Sequence, residues 1–518
     1  MLFFCFAFLS VAADIVNWPQ LSNQQLVAQR AQRDVSSNIT IDQFGLMGVN
    51  LNTVLFDEFG YTSNVLLNVT TLLNVGVSVM EMDLYWNELS SVWQLCPSAL
   101  DTFNVPLTAN QVVRKDNRSI TCEASFTFSS LMRTIRSFLD STNTNLEVNM
   151  LQLLFNLKPL QNSTAYSAAY YNYYADPSLS LALNSSLKSS LFTPVDLEEY
   201  RQVNTSSNSG FPTWYQFTYY EFDRVIPIVR YNGLPTNSSY NITADFATVF
   251  FDKWSLDLSY SAYVTDTANK SISTLLAESF RFISDSDELK FTPNTFLDYI
   301  ASGYSPIVNH TIQPLSDFAL FINYSLWSWS EQELSGKSVV SGYDSDDDTD
   351  DYRCATFIES GWSVGLCDTA YQLACRNNND PQSWSFSTDM YAYLDTKKND
   401  YCPSGTKFSV PQSALEQQAL HAAMASQNIA YPIWINLNAL SAVDCWVTGG
   451  ALASCPYQKV ISSHDYLAMV TASCVVTFAI LASIIGTRFY HVPVQGNRKH
   501  WKKIMTRMKE EEFEGVPS

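Results

Sequence analysis

Histidine is scarce in this 518-residue chain: there are five, His310, His421, His464, His491 and His500. Chemistry that needs one histidine as general base and another as general acid has little to draw on. No two cysteines stand at CxxC spacing, and only His421 falls among the C-terminal cysteines, which excludes the usual structural zinc sites. Positive charge is also short, with 30 Lys and Arg against 50 Asp and Glu, a formal net charge of −20. Phosphate backbones bind basic surfaces, so the bulk of the chain is excluded as a nucleic-acid binder. No metal and no cofactor is expected.

Charge is missing altogether from YLAMVTASCVVTFAILASIIGT, residues 466–487. At about 1.5 Å rise per residue this run spans roughly 30 Å of hydrocarbon. A soluble helix of that length carries a polar stripe, so the segment is expected to be a transmembrane helix. Behind it come Arg488, Arg498, Lys499, Lys502, Lys503, Arg507 and Lys509, which assign that side to the cytosol. With Glu510, Glu511, Glu512 and Glu514 the tail (488–518) carries net +3, leaving −23 on the rest. At the other end, MLFFCFAFLSVAADIV has the apolar run and small residues of a signal peptide cleaved after Ala13, although a charged n-region is missing. The expectation is a single-pass type I membrane protein of the secretory pathway, its acidic body lumenal or extracellular.

Two further features fit that topology. Eleven N-x-Ser/Thr acceptors precede residue 330: Asn38, Asn68, Asn117, Asn162, Asn184, Asn204, Asn237, Asn241, Asn269, Asn309 and Asn323. With Cys5 in the signal and Cys474 in the span, eight cysteines remain: Cys96, Cys122, Cys354, Cys367, Cys375, Cys402, Cys445 and Cys455. An even number in a secreted body predicts disulfides.

The body divides at SGKSVVSGYDSDDDTDDYR (335–353), an acidic, self-repelling linker without EF-hand spacing. Residues 14–334 alternate strand-like and helix-like stretches. Strands are predicted at 45–52, 77–85, 146–158, 223–231 and 318–329, and helices at 64–76, 126–142 and 292–303. An Asn/Ser/Tyr-rich surface insertion is expected at 161–211. The alternation and length predict α/β architecture, a TIM-barrel-like (β/α) domain. In VSVMEMDLY, Val77, Val79, Glu81 and Asp83 share one face, and Met80, Met82 and Leu84 the other. In a barrel the two acids would point together into the C-terminal mouth, where a divalent cation or acid–base pair would sit.

The helix–Gly–strand–Glu-x-Asp order of residues 45–88 resembles the phosphatidylinositol-phospholipase and glycerophosphodiesterase type of barrel. That resemblance implies metal-binding or substrate-orienting acids at Glu81 and Asp83, together with two catalytic histidines. GVNLNTVLFDEFGY (48–61) has no histidine, and His310 lies inside the sequon Asn309-His310-Thr311, expected to be a surface loop. Glu81 and Asp83 are therefore a candidate degenerate acidic pair, with no catalytic residue assigned.

Residues 354–465 hold six cysteines, with Trp362, Trp434 and Trp446 expected to pack against the bridges. FSVPQSALEQ and WINLN are similar to C-type-lectin-like sequences, in altered order and without the lectin calcium motif. In the tail, Trp501, Ile504, Met505 and Met508 recur at i, i+3, i+4 and i+7 between cations, the pattern of a helix lying on anionic lipid.

The blocks AQRDVSSNITIDQFGLMGVNL (31–51), ALFINYSLWSWS (319–330), IWINLNALSAVDCWVTGGALASCPYQKVIS (433–462), NRKHWKK (497–503) and EGVPS (514–518) closely resemble the fungal maintenance of telomere capping protein 6 family. The resemblance implies a type I membrane glycoprotein with a suggested role in telomere capping and no defined catalytic activity. An acidic body across a membrane from DNA makes that role indirect. Three readings follow: a non-enzymatic membrane glycoprotein carrying a pseudoenzyme barrel, a divalent-dependent lumenal phosphodiesterase, and a lectin-like receptor.

Overall fold

Short β-branched and aliphatic runs, each ending in polar residues, become parallel strands. In the computed structural model they are β1 (Gly48–Asn50), β2 (Val79–Asn87), β3 (Leu151–Pro159), β4 (Val225–Asn232), β5 (Leu258–Ser261), β6 (Ser279–Ser284) and β7 (Ser305–Val308). The structure describes residues 19–101, 105–115, 118–160, 176–203, 210–252, 256, 258–261, 271–312, 317–335, 352–397, 401–457, 463–491 and 497–511. The expected signal peptide lies outside them, as do Asn117, Asn162, Asn204, Asn269 and linker residues 336–351.

The strand order is β4-β3-β2-β1-β7-β6-β5, every neighbour parallel, with a short antiparallel strand (Val92–Gln94) added to β2. First and last strands pair, as in a (β/α) barrel. On the free edge of β4 a fifth strand is reduced to one residue. Phe251 bridges Ile228, its N–H donating to Pro227 O at 3.0 Å while Val229 N–H donates to Phe251 O at 2.8 Å. Among the described residues the ladder does not close from Phe251 to β5, so the barrel is partial.

Helices cover the outer face: α1 (Asn23–Val35), α2 (Leu66–Asn74), α3 (Phe128–Ser141) and α4 (Pro293–Ala301). In α3 the periodic Leu131, Ile135 and Leu139 are buried, and Thr127 caps the N-terminus through the Ser130 N–H. Met80, Met82 and Leu84 of β2 join the helix-facing core, while Val79, Leu154, Ile226, Ile228, Phe282 and Ile307 form an inner cluster. From Val79 onward the parity expected for β2 is the parity found; Val77, before the strand begins, joins the helix-facing core instead.

Two expectations are corrected. The apolar run 318–329 is not a strand: Phe318–Asn323 is a helix, α5, burying Phe318, Phe321 and Ile322 at i, i+3 and i+4. Its apolar residues satisfy helical spacing as well as a continuous run, and helical packing prevails. The described part of the 161–211 stretch is not only surface: helices Leu179–Leu187 and Pro194–Val203 bury Leu179, Ala182, Leu183, Leu187 and Leu197.

The described residues of the cysteine-rich region are not a separate body; with the other described residues up to Tyr457 they form one compact unit. The region's antiparallel sheet, in the order β9-β8-β10, contains β8 (Tyr352–Ile358), β9 (Gly361–Leu366) and β10 (Ile433–Asn438). A second small sheet and helix α6 (Ala414–Gln427) accompany it. The bridges are Cys96–Cys122, Cys354–Cys367, Cys375–Cys402 and Cys445–Cys455. Trp434 clusters with Cys354, Cys367 and Cys375 as expected. Trp362 and Trp446 do something else: Trp362 packs edge-on against Trp327 and Trp329, and Trp446 against Trp329. Trp362 N–H donates to Ser328 O at 2.7 Å, and Ser330 N–H donates to Trp362 O at 3.0 Å. This seam welds the barrel to the cysteine-rich region.

The second unit, Gln458–Ser518, contains α7 (Ser463–His491) and α8 (Asn497–Glu511). Side chains of α7 are described without a break over 473–488. Among the described residues no helix is long and apolar enough to cross a membrane.

Gly361 holds the seam. Its φ is +128°, and a Cβ there would stand 2.6 Å from Ser328 O. Gly361→Ala combines a disfavoured backbone with a backbone clash, and is expected to destabilise the full chain by about 2–4 kcal/mol. Thermal unfolding measures this; an unchanged midpoint would show that the seam yields freely.

Candidate functional site at the strand C-termini

Glu81 and Asp83 project inward from the first half and middle of β2, level with the C-terminal end of β1, as their parity requires. Register places Asn50 of β1 opposite Glu81, and Asn156 of β3 opposite Asp83. Asn156 and Lys158 share the inward parity of Leu154, and Arg230 that of Ile226 and Ile228. Neighbouring strands thus aim amide and cationic groups at the two acids.

Each acid has its own cation. Glu81 Oε1 pairs with Arg230 Nη1 and accepts from Asn156 Nδ2 at 2.6 Å. Asp83 Oδ2 accepts from Lys158 Nζ at 2.6 Å and from Tyr85 Oη at 3.3 Å. The Asn156 amide also donates to Asp83 Oδ1 at 3.2 Å, bridging the pair. Asn52, just after β1, accepts from Asp83 N–H at 2.7 Å and donates to Tyr61 Oη at 3.1 Å. Tyr61 in turn donates to Asp57, which holds Lys115 at 2.7 Å. Three carboxylates are matched by three cations.

Burial sets the electrostatics. Glu81 is 2% exposed, and its Oε2 has no hydrogen-bond partner among the described residues. Desolvation pushes its carboxyl above the usual carboxylate range, opposed by Arg230 and Asn156 and reinforced by Asp83. Desolvation likewise lowers the Arg230 guanidinium, against the pull of Glu81 and Asp83. A divalent ion here would have to displace a guanidinium and an ammonium. Among the described residues no group of three or more His, Cys, Asp and Glu side chains could hold a metal.

His310 is not on a surface loop. It is buried, with Nδ1 2.6 Å from Asp285 Oδ2, and packs against Phe321. Asp285 has the parity of Ile283 and His310 that of Val308, both helix-facing. The histidine therefore stands at the strand ends but on the opposite face from the acids. His421, the other body histidine, bonds Tyr431 Oη at 2.7 Å on α6. Asn38, Asn184, Asn237 and Asn241 are exposed, whereas Asn68, Asn309 and Asn323 are half-buried.

Sequence reasoning missed Asn156, Lys158 and Arg230. The signal was present: polar residues at alternate positions near the ends of LQLLFNLK and VIPIVR share the face that carries the acids in β2.

The topology and the inward-facing polar ends define a partial TIM barrel. Residues 19–328 match the family described as "MTC6 partial TIM-barrel domain". The chain is similar to proteins named "Maintenance of telomere capping protein 6". That of Debaryomyces hansenii is 34% identical, covering 98% of this chain and 97% of its own length. That of Meyerozyma guilliermondii is 33% identical over 97% and 96%, and that of Komagataella phaffii 30% over 97% and 97%. The chain belongs to the maintenance of telomere capping protein 6 family.

Removing Arg230 tests the charge matching. A carboxyl whose folded pKa is raised loses folding stability as pH climbs from the ordinary carboxylate range through that folded value. Without Arg230 the folded pKa of Glu81 rises further. Arg230→Met is therefore expected to cost about 3–5 kcal/mol at neutral pH, with the loss shrinking as pH falls and Glu81 protonates. Adding Glu81→Gln should restore most of it and flatten the pH dependence. Denaturant unfolding across pH measures this, and a pH-independent loss would contradict it.

Proposed function

We propose that this protein is a non-enzymatic, single-pass type I membrane glycoprotein whose partial barrel is a pseudoenzyme scaffold. The observation that carries the proposal is the pairing of Glu81 with Arg230 and of Asp83 with Lys158. Internal cations occupy the acids that a divalent phosphodiesterase would keep open, and Asn52 stands just after β1, where the resembled enzymes place a histidine.

Membrane anchoring rests on α7. Its exposed Val475, Val476, Phe478, Ile480, Leu481 and Ile484 point around the whole helix rather than along one stripe, the surface of a helix solvated by lipid. Helix α8 exposes Trp501, Met505 and Met508; Arg498, Lys502 and Lys509 flank that face, while Lys499, Lys503 and Arg507 lie on the opposite side. That geometry suits a cytosolic helix resting on anionic lipid. With a body at −23, a role in telomere capping of the kind the relatives' name states is indirect and involves no contact of the body with DNA.

Two measurements test this. Calorimetric titration of the full-length protein with Ca²⁺, Mg²⁺ and Mn²⁺ is expected to show no binding that depends on Glu81 and Asp83. Saturable binding abolished by Glu81→Gln with Asp83→Asn would favour the phosphodiesterase. In eukaryotic cells, amidase removal of N-glycans is expected to shift the full chain on a gel, with stepwise smaller shifts as Asn38, Asn184, Asn237 and Asn241 are changed to Gln. A chain with no shift would refute the lumenal body.

A further inference from the structure

A cavity of about 360 Å³ lies at the opposite end of the barrel from the acids. It is lined by the segments leading into β1, β2 and β3, by α1, and by Gln412–Ala414 of the cysteine-rich region. That volume falls within the roughly 300–1,000 Å³ of small-molecule sites. Its walls are mixed: Met47, Phe138, Met150, Trp214, Leu326 and Trp327 supply apolar and aromatic surface among polar side chains. Leu26 and Leu146, 47% and 46% exposed, stand at its opening.

The charged lining is asymmetric. It contains Arg30 and Arg33 and one carboxylate, Glu147, which accepts from Thr144 Oγ1 at 3.3 Å. Arg33 is structural: its donors go to Asp34, to the carbonyls of Asn145, Leu146 and Val148, and to Tyr457 Oη. Arg30 is different. Among the described residues it makes one hydrogen bond, Nη2 to Asp444 O at 2.6 Å, and lies over the Tyr457 ring. A guanidinium has five donors in a rigid fork; Arg30 gives one to the Asp444 carbonyl, its charge also acts on the Asp444 carboxylate, and it lines the cavity with donors still to place. Gln29 and Asn74 add amides to the lining.

We propose that this cavity binds a single-chain amphiphile with an anionic head, of the fatty-acid or lysophosphate class. The chain lies between Trp214 and Trp327, and the head accepts from Arg30. The site is separate from the acid cluster and does not depend on whether that cluster is catalytic. The membrane anchoring proposed above supplies only a source of such ligands.

The test is quenching of tryptophan fluorescence by 11-bromoundecanoate in the full-length protein held in nanodiscs. Quenching should saturate, should fall in Trp214→Phe, and should be competed by dodecanoate or dodecyl phosphate far better than by dodecanol. Whichever anion competes better identifies the head group. Arg30→Gln and Leu26→Glu, both outside the closed core, should each weaken dodecanoate binding about tenfold or more, equivalent to roughly 1.4 kcal/mol. Arg30→Gln should also erase the preference for acid over alcohol. Linear, unsaturable quenching, or equal quenching in both variants and the parent, would overturn the proposal by reducing the effect to partition into the bilayer.

Discussion

A carboxylate on the inner face of a barrel must bring its counter-charge with it, and Glu81 brings Arg230. Left alone, a buried ion would be destabilising by several kcal/mol or would take up a proton. Paired, it constrains three strands at once: β2 supplies the acid, β3 the Asn156 bridge, and β4 the guanidinium. Inward parity on β2 and β3 serves the same requirement, and the β3–β4 register shifts by one residue at the step that holds Arg230. The network does what a metal would do in an enzyme, holding adjacent strand ends at a fixed spacing.

Much of this was legible in the sequence. Alternation in VSVMEMDLY put both acids on one face, and the structure keeps them there. The helices at 64–76 and 126–142 were equally clear, because periodicity over several turns is hard to imitate. What could not be read was contact between distant segments. Arg230 lies 149 positions from Glu81, and nothing local marks it as a partner. His310 was misplaced for a related reason. A sequon suggests exposure, but the burial of His310 comes from Asp285, which stands beside it only after β6 and β7 pair. The run at 318–329 failed differently, since short apolar segments fit either period until packing chooses.

The division into two lumenal domains was drawn at an acidic run, yet the tryptophans on either side of that run meet. Trp327 and Trp329 precede it, Trp362 and Trp446 follow it, and their rings interlock. A charge-rich segment therefore marks a change in composition here and not a boundary in the core.

All four bridges join cysteines that are consecutive among the eight, across separations of 26, 13, 27 and 10 residues. No bridge encloses or crosses another. Each loop can close as soon as its second thiol has been synthesised, while the rest of the chain is still being made. Order of emergence and order of oxidation then coincide, so the native pairing is reached without undoing an earlier bond. An arrest at any point of synthesis leaves at most one thiol of this set unpaired.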